Sequence, residues 1–174
     1  MSDEVFIYES NMVFGPFRKS RIWHIEKSYL LKSLGSGIKI AEFIYLVTGS
    51  TKTICIVEAK SSSPQPHNKN NFKLFIEEIK EKFCNTFNTF VAVNQRRNFN
   101  VRDTMPIKMK SLKICNVNFK FILVIYNHKK EWLQPINDEL KKVLKPLVKT
   151  WALGPTSIKV INDAMAKSFC FIQK

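Results

Sequence analysis

The chain has 174 residues, 45% of them hydrophobic and 12% aromatic, which is typical of one folded domain and excludes a disordered chain. Its 28 Lys and Arg residues against 14 Asp and Glu give a formal net charge of +14. Such an excess attracts polyanions, and nucleic acids are the commonest of these. No apolar run approaches the roughly 20 residues that span a bilayer, so we expect a single cytoplasmic domain over residues 1–174, with no signal peptide and no membrane contact. The four scattered cysteines favour reduced thiols over zinc or a disulfide framework.

In chain order, the first elements indicated are a strand, a helix and a hairpin. A strand at 4–8 is expected to end at the Gly-Pro segment 14–17, and apolar spacing over 22–34 favours a helix of about three turns. Two apolar runs, 38–47 and 53–60, are joined by a short polar loop and predict a central hairpin. Both faces of this hairpin are apolar, so we expect a sheet that is covered on both sides.

The second half of the chain alternates helices and strands. Phenylalanines at helical spacing predict a long helix over 72–93, and the basic segment 94–113 has no clear period. A buried strand is expected at 118–126, then a helix over 132–147 that a proline should end or kink. A last strand at 157–161 is followed by an asparagine that is suited to cap a short helix. These elements predict an α/β domain with a central mixed β-sheet flanked by helices on both faces.

Three charged residues stand in the two most apolar strands. Glu58 and Lys60 end the second strand of the hairpin two residues apart, so their side chains point to the same face. If the hairpin loop is centred on Ser50, Glu42 lies directly opposite Glu58, at a Cβ separation of roughly 5 Å. Two carboxylates at that distance repel each other, and a divalent cation is the usual reason to tolerate them. The pattern therefore predicts a metal site.

The same residues resemble the PD-(D/E)xK, or restriction-endonuclease-like, nuclease superfamily. The resemblance covers about 20–126 and rests on Glu42, a gap of fifteen residues and Glu58-Ala59-Lys60, followed by a polar loop and an amphipathic helix. It departs from the usual pattern because the first acid is Glu rather than Asp and no Pro precedes it. The resemblance implies a restriction-endonuclease-like core and metal-dependent hydrolysis of DNA. It also implies that Glu42 and Glu58 bind Mg²⁺ (or Mn²⁺) and that Lys60 acts on water or the developing oxyanion, with Glu26 on the preceding helix as a supporting acid.

Basic residues outside this motif are candidates for phosphate contacts. They lie in the aperiodic segment and on one face of the helix that follows the strand at 118–126: Arg96, Arg97, Arg102, Lys141, Lys142 and Lys145. DNA is the expected partner, with RNA also open, and the sequence is compatible with a homodimer or a larger complex. Two other functions remain open, a non-catalytic nucleic-acid-binding module and a protein-interaction subunit whose basic faces dock an acidic partner. Genome defence, mobile elements and repair are all compatible with the resemblance.

Overall fold

The computed structural model describes residues 3–28, 37–97 and 104–168, which form an α/β structure with a five-stranded mixed sheet and a separate β-hairpin. The strands are β1 (Glu4–Glu9), β2 (Met12–Arg18), β3 (Ile22–Trp23), β4 (Phe43–Val47), β5 (Lys52–Lys60), β6 (Val117–Ile125) and β7 (Ile158–Asn162). The helices are α1 (Lys69–Asn94), α2 (Ile107–Lys110), α3 (Lys130–Val143), α4 (Lys145–Thr150) and α5 (Asp163–Ser168), with short 3₁₀ turns at Lys19–Arg21 and Ile114–Asn116. In this part of the chain, none of the helices is both long and apolar enough to cross a membrane.

The sheet has the order β3-β4-β5-β6-β7. Strands β3, β4 and β5 are antiparallel neighbours, whereas β6 runs parallel to β5 and β7 parallel to β6. The two parallel steps are made by helical crossovers, α1 between β5 and β6 and then α3 and α4 between β6 and β7, as parallel strands require. In the central hairpin Val47 pairs with Thr53, which confirms a loop centred on Ser50.

Both faces of the sheet are covered, as expected, but not in the same way. On one face α1 packs its phenylalanines against β6, for example Phe87 with its ring centroid 4.8 Å from that of Phe119. On the other face the β1–β2 hairpin packs against the sheet, with the Phe14 and Phe43 rings 5.2 Å apart. Only the six-residue α5 adds helical cover there among the described residues. The prediction of helices on both faces is therefore wrong for most of the second face, where a two-stranded hairpin takes their place.

Two local predictions near the N-terminus are also wrong. The Gly15–Pro16 step does not end the N-terminal strand but lies inside β2, opposite a register irregularity between Val5 and Ile7. Such an irregularity accommodates a proline that has no N–H to donate to the ladder. Residues 22–23 are not helical but form β3, because they pair with β4 and this pairing overrides the local helical spacing.

The described part of the predicted first helix continues as irregular chain. Residues 24–28 form bends and turns, so Glu26 does not lie on a helix, and 29–34 lie outside the described residues. Later elements agree better with the sequence. The long helix is α1, the break ahead of Pro146 falls at Leu144 between α3 and α4, and the side chain of Asn162 accepts a hydrogen bond from the Met165 backbone N–H at 2.9 Å.

Candidate metal centre and ion network

Glu42 and Glu58 meet at one end of the β4–β5 ladder. Because Phe43 pairs with Val57, the next position along the antiparallel register sets Glu42 opposite Glu58. Both side chains are buried, with 6% and 0% of their surface exposed. They lie on the face of the sheet that α1 covers, since Ile56 on the same side of β5 belongs to that core. The structure thus brings the two acids together at the place where the sequence predicted a metal site.

A lysine that sequence reasoning missed lies between these two acids. Lys82 of α1 places its Nζ 2.7 Å from Glu58 Oε1 and 3.8 Å from Glu42 Oε1. A signal for it exists in the sequence, because Lys82 is in phase with the buried face of α1 formed by Ile79 and Thr86. A charged side chain on such a face needs a buried partner of opposite sign. Here that partner is Glu58.

Lys60 contacts two acids rather than one. Its Nζ lies 3.5 Å from Glu58 Oε1 and 2.6 Å from Glu78 Oε1, and its side chain is 24% exposed. The contact with Lys60 holds the pKa of the Glu78 carboxyl below its ordinary value. Glu78 lies on α1, four residues before Lys82. In the structure it holds the ammonium of Lys60 at the outer edge of the buried pair.

Burial dominates the electrostatics of the pair. It raises the pKa of Glu42 to about 9, helped by a hydrogen bond with Glu26 and by the negative charge of Glu58. Burial also raises the pKa of Glu58, although Lys82 and Lys60 oppose the shift. For Lys82, burial favours the neutral form, but the charges of Glu58 and Glu42 outweigh it and raise its pKa. Before any cation binds, burial therefore favours the protonated form of Glu42, whereas the neighbouring acids favour the charged form of Lys82.

One oxygen of each acid is left without a hydrogen bond. Within the described residues, Glu42 Oε2 and Glu58 Oε2 are buried and have no hydrogen-bond partner. A buried polar atom without a partner is costly, and carboxylate oxygens are the ligands that hard divalent cations prefer. The donor set therefore fits a divalent cation.

A second group of side chains adjoins Glu42 on the irregular segments. Glu9, His24, Glu26 and Glu42 each offer one ligand atom, and these atoms all lie within 4.8 Å of one another. Burial and the neighbouring Lys27 lower the pKa of His24, which keeps the ring neutral as a metal ligand must be. These four residues could hold a metal ion.

Lys82 is expected to be the most sensitive residue for folding. Replacing Lys82 by Met leaves Glu58 buried beside only the more distant Lys60, and removing one partner of a buried ion pair costs about 3–5 kcal/mol of unfolding free energy. The pKa of Glu58 in the folded protein lies above its ordinary value of 4.5. Below pH 4.5 the carboxyl group is therefore protonated in both the folded and the unfolded state, and the loss of stability is small there. It grows as the pH rises, because Lys82 lowers the pKa of Glu58, so that without it the folded variant holds the proton more tightly than the folded wild type does.

Urea unfolding at about pH 5 and about pH 8 measures this penalty, which should be clearly larger at the higher pH. Lys80→Met is the matched control, because Lys80 lies on the same helix in an exposed pair with Glu77 and should change stability by less than about 0.5 kcal/mol. The double variant Lys82→Met with Glu58→Gln should regain part of the loss. Equal losses for Lys82→Met and Lys80→Met would contradict the buried pair.

The structure describes all but one of the basic residues that were predicted to contact phosphate. Arg96 and Arg97 are exposed just beyond the end of α1, and the helix rises about 18 Å from Lys82 to its last residue, Asn94. Arg102 lies outside the described residues. The predicted lysines of the later helix are all exposed, and they are Lys141, Lys142 and Lys145. They do not share one continuous helix, because the break at Leu144 puts Lys145 on α4, and Lys142 Nζ lies 3.5 Å from Glu139 Oε1.

Comparison with known proteins adds no relative to this description. No model of a protein family matches the chain, and neither a curated protein nor a solved structure matches it.

Proposed function

We propose that this protein is a metal-dependent nuclease that hydrolyses DNA phosphodiester bonds, with a restriction-endonuclease-like core. The observation that carries the proposal is the pairing of Glu42 and Glu58 at one end of the β4–β5 ladder, each with a buried oxygen that lacks a hydrogen bond. Lys60 adds an ammonium 3.5 Å from Glu58 Oε1. Two carboxylates and one lysine, with Glu42 directly before β4 and with Glu58 and Lys60 at the end of β5, are the side chains that this chemistry requires.

Each of these residues has a distinct task in the proposed reaction. Glu42 and Glu58 would hold Mg²⁺ or Mn²⁺, which when bound acidifies a coordinated water and stabilises negative charge on the phosphate. Lys60, partly exposed, would orient the attacking water or stabilise the developing oxyanion. Glu78 is a positioning residue, since its carboxylate holds Lys60 Nζ at 2.6 Å. Glu26 would support Glu42, with which it shares a hydrogen bond.

The charge of the chain supports a nucleic-acid substrate. The net charge of +14 favours phosphate contacts by release of condensed counterions. The exposed Arg96 and Arg97, which follow the end of α1 about 18 Å along the helix from Lys82, would contact the backbone at a distance from the site. Such contacts position a duplex without reading its sequence.

One observation favours a different function, that of a non-catalytic nucleic-acid-binding module. Lys82 Nζ is 2.7 Å from Glu58 Oε1, so the charge of Glu58 is neutralised by the protein itself. In that case Glu42, Glu58 and Lys82 would be a structural ion network, and the basic surface alone would bind nucleic acid. The two functions differ in whether a divalent cation is needed.

A cleavage assay separates them. The purified chain is incubated with linear, circular and single-stranded DNA, and with RNA, in the presence of Mg²⁺, Mn²⁺, Ca²⁺ or a chelator. We expect cleavage with Mg²⁺ or Mn²⁺, none with the chelator, and binding but little turnover with Ca²⁺, whose looser coordination positions water less well. Salt-sensitive binding without cleavage under any of these conditions would select the non-catalytic module.

A further inference from the structure

The group of ligand atoms beside the buried pair is assembled from separate segments of the chain. Glu9 ends β1, His24 and Glu26 follow β3, and Glu42 precedes β4. The N-terminal hairpin and the sheet are thus needed together to form it. Its four ligand atoms lie within 4.8 Å of one another.

This spacing is close to that of an occupied site. Oxygen and nitrogen ligands lie about 2.1 Å from a small divalent ion, so two opposite ligands are about 4.2 Å apart. The widest pair in the group, no more than 4.8 Å apart, is therefore within about 1 Å of the separation of two opposite ligands. Three of the four residues, Glu9, His24 and Glu26, are partly exposed, so their side chains have room to rotate towards an ion.

Two buried atoms in this group lack hydrogen-bond partners among the residues that the structure describes. Glu42 has 6% of its surface exposed, and its Oε2 has no partner; the same holds for the buried Nε2 of His24, which is 3.6 Å from Glu9 Oε1. Among the described residues, Glu9 also pairs with a lysine, Lys27, whose side chain is 60% exposed. Lys27 can therefore turn to solvent and release the Glu9 carboxylate at little cost.

We propose that Glu9, His24, Glu26 and Glu42 form a binding site for Mn²⁺. Carboxylates suit hard ions such as Mg²⁺ and Mn²⁺, whereas an imidazole ligand favours a transition metal, and Mn²⁺ satisfies both. The site shares Glu42 and the supporting acid Glu26 with the proposed nuclease centre but does not require that centre to be catalytic. Glu9 and His24 are ligands that the Glu-x-Lys motif does not include.

Mn²⁺ titration of the full chain, followed by electron paramagnetic resonance, tests the proposal. Pulsed spectra of the bound ion should show coupling to a ¹⁴N nucleus, and His24→Ala should remove that coupling. His24→Ala and Glu9→Gln should each weaken Mn²⁺ binding by at least about 10-fold. His67→Ala and Glu139→Gln are the matched controls, because His67 is exposed, Glu139 is partly exposed and both lie in other segments, and they should leave affinity and spectrum unchanged.

The result that overturns the proposal is bound Mn²⁺ without ¹⁴N coupling, or unchanged affinity in both variants. Circular dichroism and melting of each variant show whether the fold is kept, and Glu9→Gln preserves the shape if His24→Ala does not fold. Repeating the titration on Glu58→Gln separates this site from the nuclease centre, because nitrogen-coupled Mn²⁺ should persist there. Nitrogen-coupled binding without any cleavage would leave this site standing and remove the nuclease, whereas cleavage without the coupling would do the reverse.

Discussion

Glu42→Gln and Glu58→Gln are each expected to reduce metal-dependent DNA cleavage to background. Both changes keep the size of the side chain but remove a carboxylate oxygen that the proposed cation needs. Glu42 lies directly before β4, at the position next to the Phe43–Val57 pair and opposite Glu58 of β5, so we expect each acid to supply a separate ligand to the ion. The measurement is the initial rate of cleavage with Mg²⁺ and with Mn²⁺. A glutamine variant that cleaves at the wild-type rate would remove that residue from the centre.

Stability measurements on the same variants show whether a loss of cleavage has another cause. With its pKa raised to about 9, Glu42 is protonated in the folded protein at neutral pH, and the glutamine resembles that state. The wild type loses stability as the pH rises from 4.5 towards 9, since only the unfolded state has released the proton there. Glu42→Gln should therefore be as stable as the wild type at about pH 5 and more stable at about pH 8. Glu58→Gln deprives Lys82 of its partner at 2.7 Å and should be less stable, so Glu42→Gln is the cleaner test of catalysis.

Glu81→Gln is the matched control for both acids. Its carboxylate lies on the same long helix as Lys82, in an exposed pair with Lys39 at 3.0 Å, and it does not contact the buried acids. We expect wild-type cleavage from this variant.

The elements that the sequence predicted well are those whose local pattern and tertiary role agree. The hairpin register, the phenylalanine face of α1 and the buried strand β6 all follow from apolar periodicity. The first helix was not predictable in this way, because its pattern starts at Ile22 and Trp23, which pair with β4 in the fold. A strand of two residues is too short to show the alternation of apolar and polar residues by which a strand is recognised. Similarly, the local sequence Gly15–Pro16 predicts the end of a strand. Strand β2 continues through it because its pairing with β1 shifts register between Val5 and Ile7.

The sequence predicted the part of the candidate site that belongs to the central hairpin. Because alternation along β5 fixes the face of Glu58 and Lys60, the sequence alone indicated a shared acidic centre with Glu42. Lys82 and Glu78 come from α1, and their contacts with β5 depend on how that helix lies across the sheet, which no local pattern encodes. Glu9 and His24 were missed for the same reason, since the hairpin and the irregular chain after β3 approach Glu42 only in the folded protein.

Lys60→Ala is expected to lower the cleavage rate by about 10²- to 10³-fold, which is the usual loss when one electrostatic donor to a transition state is removed. Metal affinity should remain largely intact. The expectation rests on the position of Lys60, whose side chain is 24% exposed at the edge of the buried acids. An ammonium there can act on a water or a phosphate oxygen at the surface of the site. Single-turnover cleavage and calorimetric titration with Mn²⁺ are the two measurements.

Glu78→Gln tests whether Lys60 must be held in place. Since Glu78 Oε1 is 2.6 Å from Lys60 Nζ without lining the buried pair, its replacement should lower the turnover rate by less than Lys60→Ala does. Lys80→Ala is the control, because that ammonium pairs with Glu77 on the exposed side of α1 and should leave cleavage unchanged. If Lys60→Ala abolishes metal binding along with cleavage, Lys60 is a structural partner of Glu58. The ammonium would then act on the carboxylates rather than on the substrate, and the lysine of the Glu-x-Lys motif would have no direct part in hydrolysis.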